Sequence, residues 1–124
     1  MKRLSRAQVV ALQEQQIDLY GGIHGIRDEA LLDAALHAPF AAFGGTELFS
    51  TIEEKAARIA YGLVANHPFN DGNKRVGVIA MLVLADLNNH PIEATDDELI
   101  ELGLSLADGS IQQDETVAWI NAHS

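Results

Sequence analysis

The sequence predicts an all-α fold of about six helices around a central apolar helix, with one short flap loop. Apolar residues recur at the helical period through most of the chain. Residues 73–89 are apolar nearly all round, as expected of a helix at the centre of a fold. The chain has 124 residues, of which 48% are hydrophobic and 21% are charged. This size and composition predict one globular domain that spans residues 1–124.

The first two helices are predicted from the residues at their ends. Ser5 stands ahead of a helical repeat in residues 6–20, and a Gly-Gly pair follows the repeat. Asp28 can cap a second helix over residues 29–38, which the proline that follows ends. A side-chain oxygen at such a position accepts an N–H group that the first helical turn leaves free.

The later helices are predicted from capping residues as well. In a capping box, a serine or threonine is followed three residues later by glutamate. Ser50 with Glu53 is the predicted box for a helix over residues 52–66. Thr95 with Glu98 is the predicted box for a helix over residues 96–107. Asp114 is predicted to cap a last short helix that reaches Trp119.

Residues 39–49 interrupt the helical pattern just before the third helix. Gly44 and Gly45 lie between two short pieces that carry aromatic residues. A Gly-Gly pair in such a setting predicts a loop or a minimal hairpin.

The composition of the chain opposes several classes of function. Its 18 acidic and 8 basic residues give a formal net charge of -10, so we expect no direct nucleic-acid binding. The longest apolar run, residues 76–87, is shorter than the roughly 20 residues of a membrane span, so we expect no membrane segment. The first residues lack the apolar stretch of a signal peptide and the chain has no cysteine, so we expect a cytoplasmic protein.

The sequence HPFNDGNKR, which begins at His67, lies between two predicted helices. His67 is predicted to end the first helix, because the proline after it disfavours helical geometry. Asn73 begins the second helix, which places the N–H groups of Gly72, Asn73 and Lys74 at the positive end of a buried helix. An anion such as phosphate is favoured at that position.

The residue types of this motif suit phosphate chemistry. His67 can take a proton from an attacking hydroxyl, and Asp71 is a hard oxygen ligand of the kind that Mg²⁺ prefers. The planar guanidinium of Arg75 can donate two parallel hydrogen bonds to phosphate oxygens, while Lys74 adds a compact positive charge. Phe69 is interpreted as a structural anchor for the loop. Each residue alone has an ordinary structural explanation, so the hypothesis depends on their joint occurrence at one helix start.

The motif closely resembles the signature of the Fic/Doc superfamily, and the sequences YGGIHGIRDEALLDAAL and EKAARIAYGLVANHPF resemble its death-on-curing (Doc) branch. This resemblance implies an all-helical toxin of a toxin–antitoxin pair, with a cognate antitoxin as its partner. It also implies transfer of the γ-phosphate of ATP to a hydroxyl of a translation factor, which would arrest translation. Elongation factor Tu is the expected target.

The resemblance also assigns a role to the loop before the third helix. Fic relatives use the corresponding region as a flap that docks the target segment by strand addition. Phe43, Gly44, Gly45 and Thr46 are therefore expected to form a target-docking flap.

Two departures from the adenylylating Fic pattern favour a kinase. That pattern has glycine where this chain has Lys74 and a second arginine where it has Val78. The glycine helps to hold inner phosphates and the second arginine grips the outermost one, whereas the Lys-Arg form of the Doc branch goes with a reversed nucleotide. An AMP-transferase and a non-catalytic binding module remain as alternatives.

The chain is expected to be inhibited by a partner rather than by itself. Self-inhibited Fic proteins carry serine or threonine, three residues, then glutamate followed by glycine or asparagine. The nearest approach here runs from Ser50 to Glu54, but Lys55 follows. The resemblance therefore implies inhibition by the antitoxin.

Overall fold

The computed structural model describes residues 1–124, and its fold is all-α, as predicted. Its six α-helices are α1 (Arg6–Tyr20), α2 (Glu29–His37), α3 (Ile52–Ala65), α4 (Asn73–Leu87), α5 (Asp96–Asp108) and α6 (Gln113–Ala122). A 3₁₀ turn at Ala38–Phe40 leads into two short antiparallel strands, β1 (Ala42–Phe43) and β2 (Thr46–Glu47). None of the helices combines the length and the hydropathy that crossing a membrane requires.

Helix α4 is buried at the centre of the fold, as predicted, and α3 shares that position. α4 packs against α1, α3 and α5, while α3 also packs against α2 and α6. Val76 and Leu84 of α4 join an apolar cluster with residues of α1 and α2. Met81 and Ala85 join a second cluster with residues of α5 and α6. Because α4 packs into apolar clusters on two sides, its sequence is hydrophobic nearly all round.

Two glycines allow α3 to approach its neighbours closely. A β-carbon at Gly77 of α4 would lie 2.5 Å from Cγ2 of Val64 and 3.2 Å from the carbonyl oxygen of Ala60. A β-carbon at Gly62 would lie 3.0 Å from Cβ of Ala35 in α2. These distances are shorter than ordinary van der Waals contacts, so larger residues would force the helices apart.

Three of the five predicted caps are confirmed, and the other two are shifted along the chain. The side chains that accept N–H groups as predicted are those of Ser5, Asp28 and Thr95. The capping box of α3 uses Thr51 and Glu54 rather than Ser50 and Glu53. Both pairs have the required spacing, but the carboxylate of Glu53 instead lies 3.1 Å from Nδ1 of His90. A tertiary contact therefore accompanies the shift in register.

Helix α6 begins earlier and ends later than predicted. It starts at Gln113, and Gln112 rather than Asp114 occupies the N-cap position. Asp114 lies inside the first turn, where its negative charge complements the helix dipole. The helix continues beyond Trp119 to Ala122.

Helix α4 ends two residues before the predicted boundary at Asn89. The side chain of Asn88 donates to the carbonyl oxygen of Leu84 at 2.9 Å, and Asn89 has a φ angle of +62°. The two asparagines therefore form a turn, because asparagine tolerates left-handed geometry better than most residues.

His123 connects the end of α6 to the start of α5. Its Nδ1 lies 2.7 Å from the carbonyl oxygen of Trp119, and its Nε2 lies 2.7 Å from a carboxylate oxygen of Glu98. Both contacts require an N–H donor, which favours the imidazolium form. The hydrogen bond to Trp119 and then that to Glu98 raise the pKa of His123. The N–H of Thr95, followed by His123, lowers the pKa of Glu98 to about 2.

We expect these contacts to make stability depend on pH. Because the folded-state pKa of His123 is raised above 6.5, its contribution is complete below about pH 6 and is lost as pH rises through the raised pKa. Glu98 contributes above its ordinary pKa of 4.5, and its contribution is lost as pH falls through about 2. Melting temperatures of the wild type and a His123→Gln variant, measured between about pH 6 and pH 9, test the first statement. The variant should show a smaller decline, whereas identical declines would contradict it.

Candidate active site

The predicted motif forms a loop, residues 66–72, between α3 and α4. Helix α3 ends at Ala65, one residue before the end of the predicted range 52–66, and Asn66 rather than His67 is its C-cap. His67 has a φ angle of +49°, in the left-handed region that residues other than glycine rarely adopt. The proline after His67 disfavours right-handed helical geometry at that position, and the chain turns there.

The imidazole ring of His67 is free to meet a molecule from outside. The residue is exposed, and its one polar side-chain contact joins Nδ1 to Nδ2 of Asn73 at 3.5 Å. This distance is at the outer limit of a hydrogen bond. The ring therefore has no strong internal partner that would occupy its nitrogens.

Helix α4 begins without a side-chain cap. Its N-cap is Gly72, which has a φ angle of +81° and no side chain to accept an N–H group. The N–H groups of Asn73, Lys74 and Arg75 have no acceptor within the protein. In contrast, a serine, aspartate or threonine side chain caps each of α1, α2, α3 and α5. The start of α4 thus presents free donors and the positive end of the helix dipole.

The side chains of Asn73 and Phe69 hold the loop closed. The Asn73 amide accepts the N–H of Phe69 at 3.0 Å and donates to its carbonyl oxygen at 3.1 Å. Phe69 is only 1% exposed and packs in the core cluster that contains Val76. Asn73 can therefore offer a ligand its backbone N–H, while its amide is occupied within the loop.

A second loop, residues 22–28, lies along the motif loop, and we name it the bracing loop. Ile26 forms a β-bridge with Phe69. The carbonyl oxygen of His24 accepts from the side chain of Asn70 at 3.0 Å, and the N–H of Asp28 donates to a motif-loop carbonyl at 3.0 Å. Sequence reasoning did not assign these residues to the site, because backbone contacts between distant segments leave no periodic pattern.

The carboxylate of Asp71 points toward the bracing loop. Its Oδ2 accepts the N–H of Ile23 at 2.8 Å, and its backbone carbonyl accepts Nε2 of the buried Gln13 at 3.2 Å. Oδ1 has no partner within the protein, and the chain has no group of three histidine or acidic residues that could hold a metal. One carboxylate oxygen fits Mg²⁺, which commonly uses one or two carboxylates together with phosphates and waters.

The two cations of the motif lie beside a cavity of about 590 Å³ between α1, α4 and α5. Lys74 and Arg75 are exposed and line the cavity, together with Gly72 and Asn73. The guanidinium carbon of Arg75 lies 4.4 Å from the centroid of the Tyr20 ring, which also lines the cavity. Tyr20 was not predicted as a site residue, because no pattern in the first helix indicated that its end lies beside the motif.

The flap region forms a hairpin, one of the two forms that the sequence predicted. Phe43 pairs with Thr46, and the turn residues Gly44 and Gly45 have φ angles of +59° and +81°. Two positive φ angles are typical of the two-residue turns that suit twisted hairpins. Phe43 is 82% exposed, so its ring is accessible to another molecule.

A buried lysine attaches the hairpin to α3. Lys55 is 1% exposed, and its ammonium group donates to Oε1 of Glu47 at 3.2 Å and to the carbonyl oxygen of Phe49. It also lies 5.3 Å from the centroid of the Phe40 ring. A buried charge is tolerated where it is paired and hydrogen-bonded, so these contacts explain why a lysine occupies a core position.

Comparison with known proteins identifies relatives of this chain. The Fic/DOC family matches residues 3–85, a range that includes the bracing loop, the flap and the whole motif. Toxin Doc of Mycolicibacterium smegmatis is 35% identical over 78 residues, which cover 63% of this chain and 60% of that protein. Protein kinase doc of Escherichia phage P1 is 28% identical over 112 residues, which cover 90% of this chain and 86% of that protein. The chain belongs to the Fic/DOC family.

Proposed function

We propose that this protein is the toxin of a toxin–antitoxin pair and transfers the γ-phosphate of ATP to a hydroxyl of a translation factor. Elongation factor Tu is the expected target, and its modification would arrest translation in the cytoplasm, where translation takes place. The observation that supports the proposal is the uncapped start of α4, where His67 contacts Asn73 and Asp71 directly precedes the N-cap. Lys74 and Arg75 line the adjacent cavity, whereas His67 and Asp71 lie outside its lining. The names Toxin Doc and Protein kinase doc of two relatives agree with it.

The proposed reaction requires a base and positive charge near the phosphates. His67 takes the proton of the target hydroxyl, whose oxygen forms a bond to the γ-phosphorus. The bond between that phosphorus and the bridging oxygen breaks, and ADP leaves. The N–H groups at the start of α4, with Lys74 and Arg75, stabilise the phosphate charge. Asp71 would hold Mg²⁺, which supplies further neutralisation of phosphate charge.

The structure around Val78 favours phosphate transfer over AMP transfer. Position 78 holds a valine, which offers no cation to a phosphate; it is 6% exposed and packs in the cluster shared with α5. Lys74 instead supplies its charge one residue before Arg75. An AMP-transferase would use the same His67 and Asp71, and it remains the second candidate. A non-catalytic binding module would not require the free imidazole.

Mass analysis of a purified target tests the proposal. Elongation factor Tu is incubated with the protein, ATP and Mg²⁺, and its peptides are then analysed. We expect the mass of a phosphoryl group on one hydroxyl side chain. The mass of AMP would instead support the second candidate. Unmodified elongation factor Tu and ribosomal extract would contradict both enzymatic functions and support the binding module.

We expect the protein to be inhibited by an antitoxin. Glu54 is engaged in the capping box of α3, and Val78 supplies no arginine for a self-inhibitory glutamate to pair with. The antitoxin segment is expected to fold over the groove near His67 and Arg75 and to carry some basic residues, because the chain has a net charge of -10. Expression in a host without the antitoxin should stop growth, and co-expression of the neighbouring reading frame should restore it. Sustained growth with abundant folded protein would contradict the toxin function.

Changes in the flap should weaken target modification more than ATP binding. Phe43→Ala removes an exposed ring, and Gly45→Ala strains a residue whose φ angle is +81°. We expect a higher KM for the target and an unchanged KM for ATP, because strand addition needs the hairpin and the start of α4 is untouched. Gly109→Ala is a matched control, since Gly109 has a φ angle of +80° at the end of α5, outside the flap. Equal effects of Gly45→Ala and Gly109→Ala would argue against a docking flap.

A further inference from the structure

The backbone of His67 requires support from its surroundings. Its φ angle of +49° lies in a sparsely populated region, which persists only where neighbouring structure holds it. Its ring has only the 3.5 Å contact with Asn73, so side-chain hydrogen bonds do little to fix the direction of the imidazole. The direction of the Cα–Cβ bond, from which the ring projects, is therefore set by the backbone of His67.

Arg27 of the bracing loop contacts three successive carbonyl oxygens at this point. Its Nε donates to the carbonyl of His67 at 2.6 Å, and its Nη2 donates to that of Asn66 at 2.9 Å. Its backbone N–H donates to the carbonyl of Pro68 at 2.7 Å. The planar guanidinium offers donors in a fixed fork, so two adjacent carbonyls are held in one relative orientation.

The position of Arg27 also suits its charge. Asn66 is the C-cap of α3, where carbonyl groups carry the negative end of the helix dipole. A hydrogen bond from a charged donor is stronger than one between neutral groups. The guanidinium of Arg27 thus contacts both the C-cap of α3 and His67. Arg27 contacts neither the cavity nor the start of α4.

We propose that Arg27 is a positioning residue that holds the backbone of His67 in its left-handed conformation and so orients the imidazole toward the target hydroxyl. This inference depends on the proposed function, in which His67 is the base. Arg27 acts through His67 and has no contact with the nucleotide in this mechanism. Its loss should therefore lower kcat while leaving the KM values for ATP and for the target nearly unchanged.

A matched pair of arginine variants separates positioning from general stability. Arg6 is partly exposed and forms ion pairs with Glu29 and Asp33, which connect α1 to α2 away from the motif loop. We expect Arg27→Gln and Arg6→Gln to lower the melting temperature to a similar, small extent, because exposed ion pairs and hydrogen bonds contribute little. Only Arg27→Gln should lower kcat, by about 10- to 100-fold, as expected for a misplaced reacting group.

A second measurement is independent of activity. Backbone chemical shifts and amide exchange of residues 66–70, recorded without ATP or target, should change in Arg27→Gln and stay as in the wild type in Arg6→Gln. Arg27→Lys, which keeps the charge but cannot form the fork, should give intermediate values of both kcat and the shifts. Unchanged shifts in Arg27→Gln, or changed shifts with a wild-type kcat, would overturn the inference. The activity of the wild-type protein is measured before any variant is compared. If the wild type is inactive, the result contradicts the proposed function rather than this inference.

Discussion

Replacing His67 is expected to abolish phosphate transfer while the protein still folds and binds ATP. His67 is exposed, and its ring makes one weak contact, so little stability depends on the side chain. The N–H groups at the start of α4 and the side chain of Arg75 are untouched by the change. Loss of a general base typically lowers the rate by about 10²–10⁴-fold, and we expect a loss of this size in kcat.

The choice of replacement matters because of the left-handed backbone. Alanine at a φ angle of +49° adds strain, whereas asparagine tolerates this geometry and has no basic ring nitrogen. His67→Asn is therefore the cleaner variant, and His67→Ala serves as its companion. ATP binding is measured by calorimetry and transfer by mass analysis of the target. Wild-type transfer by either variant would remove His67 from the mechanism.

The second large effect is expected in the core, at the contact between α3 and α4. Gly77→Ala places a β-carbon 2.5 Å from Val64 and 3.2 Å from a backbone oxygen of α3. Val64 is fully buried and β-branched, so it cannot rotate away easily. Overpacking of this kind costs about 1–3 kcal/mol, and the gain in helix propensity of alanine over glycine is about 1 kcal/mol. We expect a net loss of stability of up to about 2 kcal/mol.

The same substitution at Gly103 should have the opposite sign. Gly103 lies inside α5, and a β-carbon there would meet its nearest neighbours, atoms of Lys74, at 3.6 Å, which is an ordinary contact. Gly103→Ala should therefore stabilise the protein by about 0.5–1 kcal/mol through helix propensity alone. Urea unfolding of both variants measures the two changes under one set of conditions. If both variants gained stability, the close approach of α3 and α4 at Gly77 would not be a real constraint.

The sequence by itself determined the features that depend on local contacts. Ser5, Asp28 and Thr95 were predicted as helix caps, and the structure confirms them, because each accepts an N–H group three residues further along the chain. The all-α class likewise follows from the helical spacing of apolar residues, which is visible within a short segment of the chain. The residue types of the motif were evident for the same reason, since HPFNDGNKR is continuous in the chain.

Only the tertiary structure decided how these residues are held. Ser50 and Thr51 both satisfied the capping-box spacing, and the observed box uses Thr51 while Glu53 contacts His90 in a distant turn. The contact between Arg27 and His67 spans 40 positions. The cavity beside Arg75 forms because α1 and α5 both pack against α4 near its start. The helical spacing of apolar residues and the capping patterns reflect interactions between residues within about one helical turn of each other. Contacts between distant segments form only when the helices pack, so the left-handed His67 and its support appear first in the folded chain.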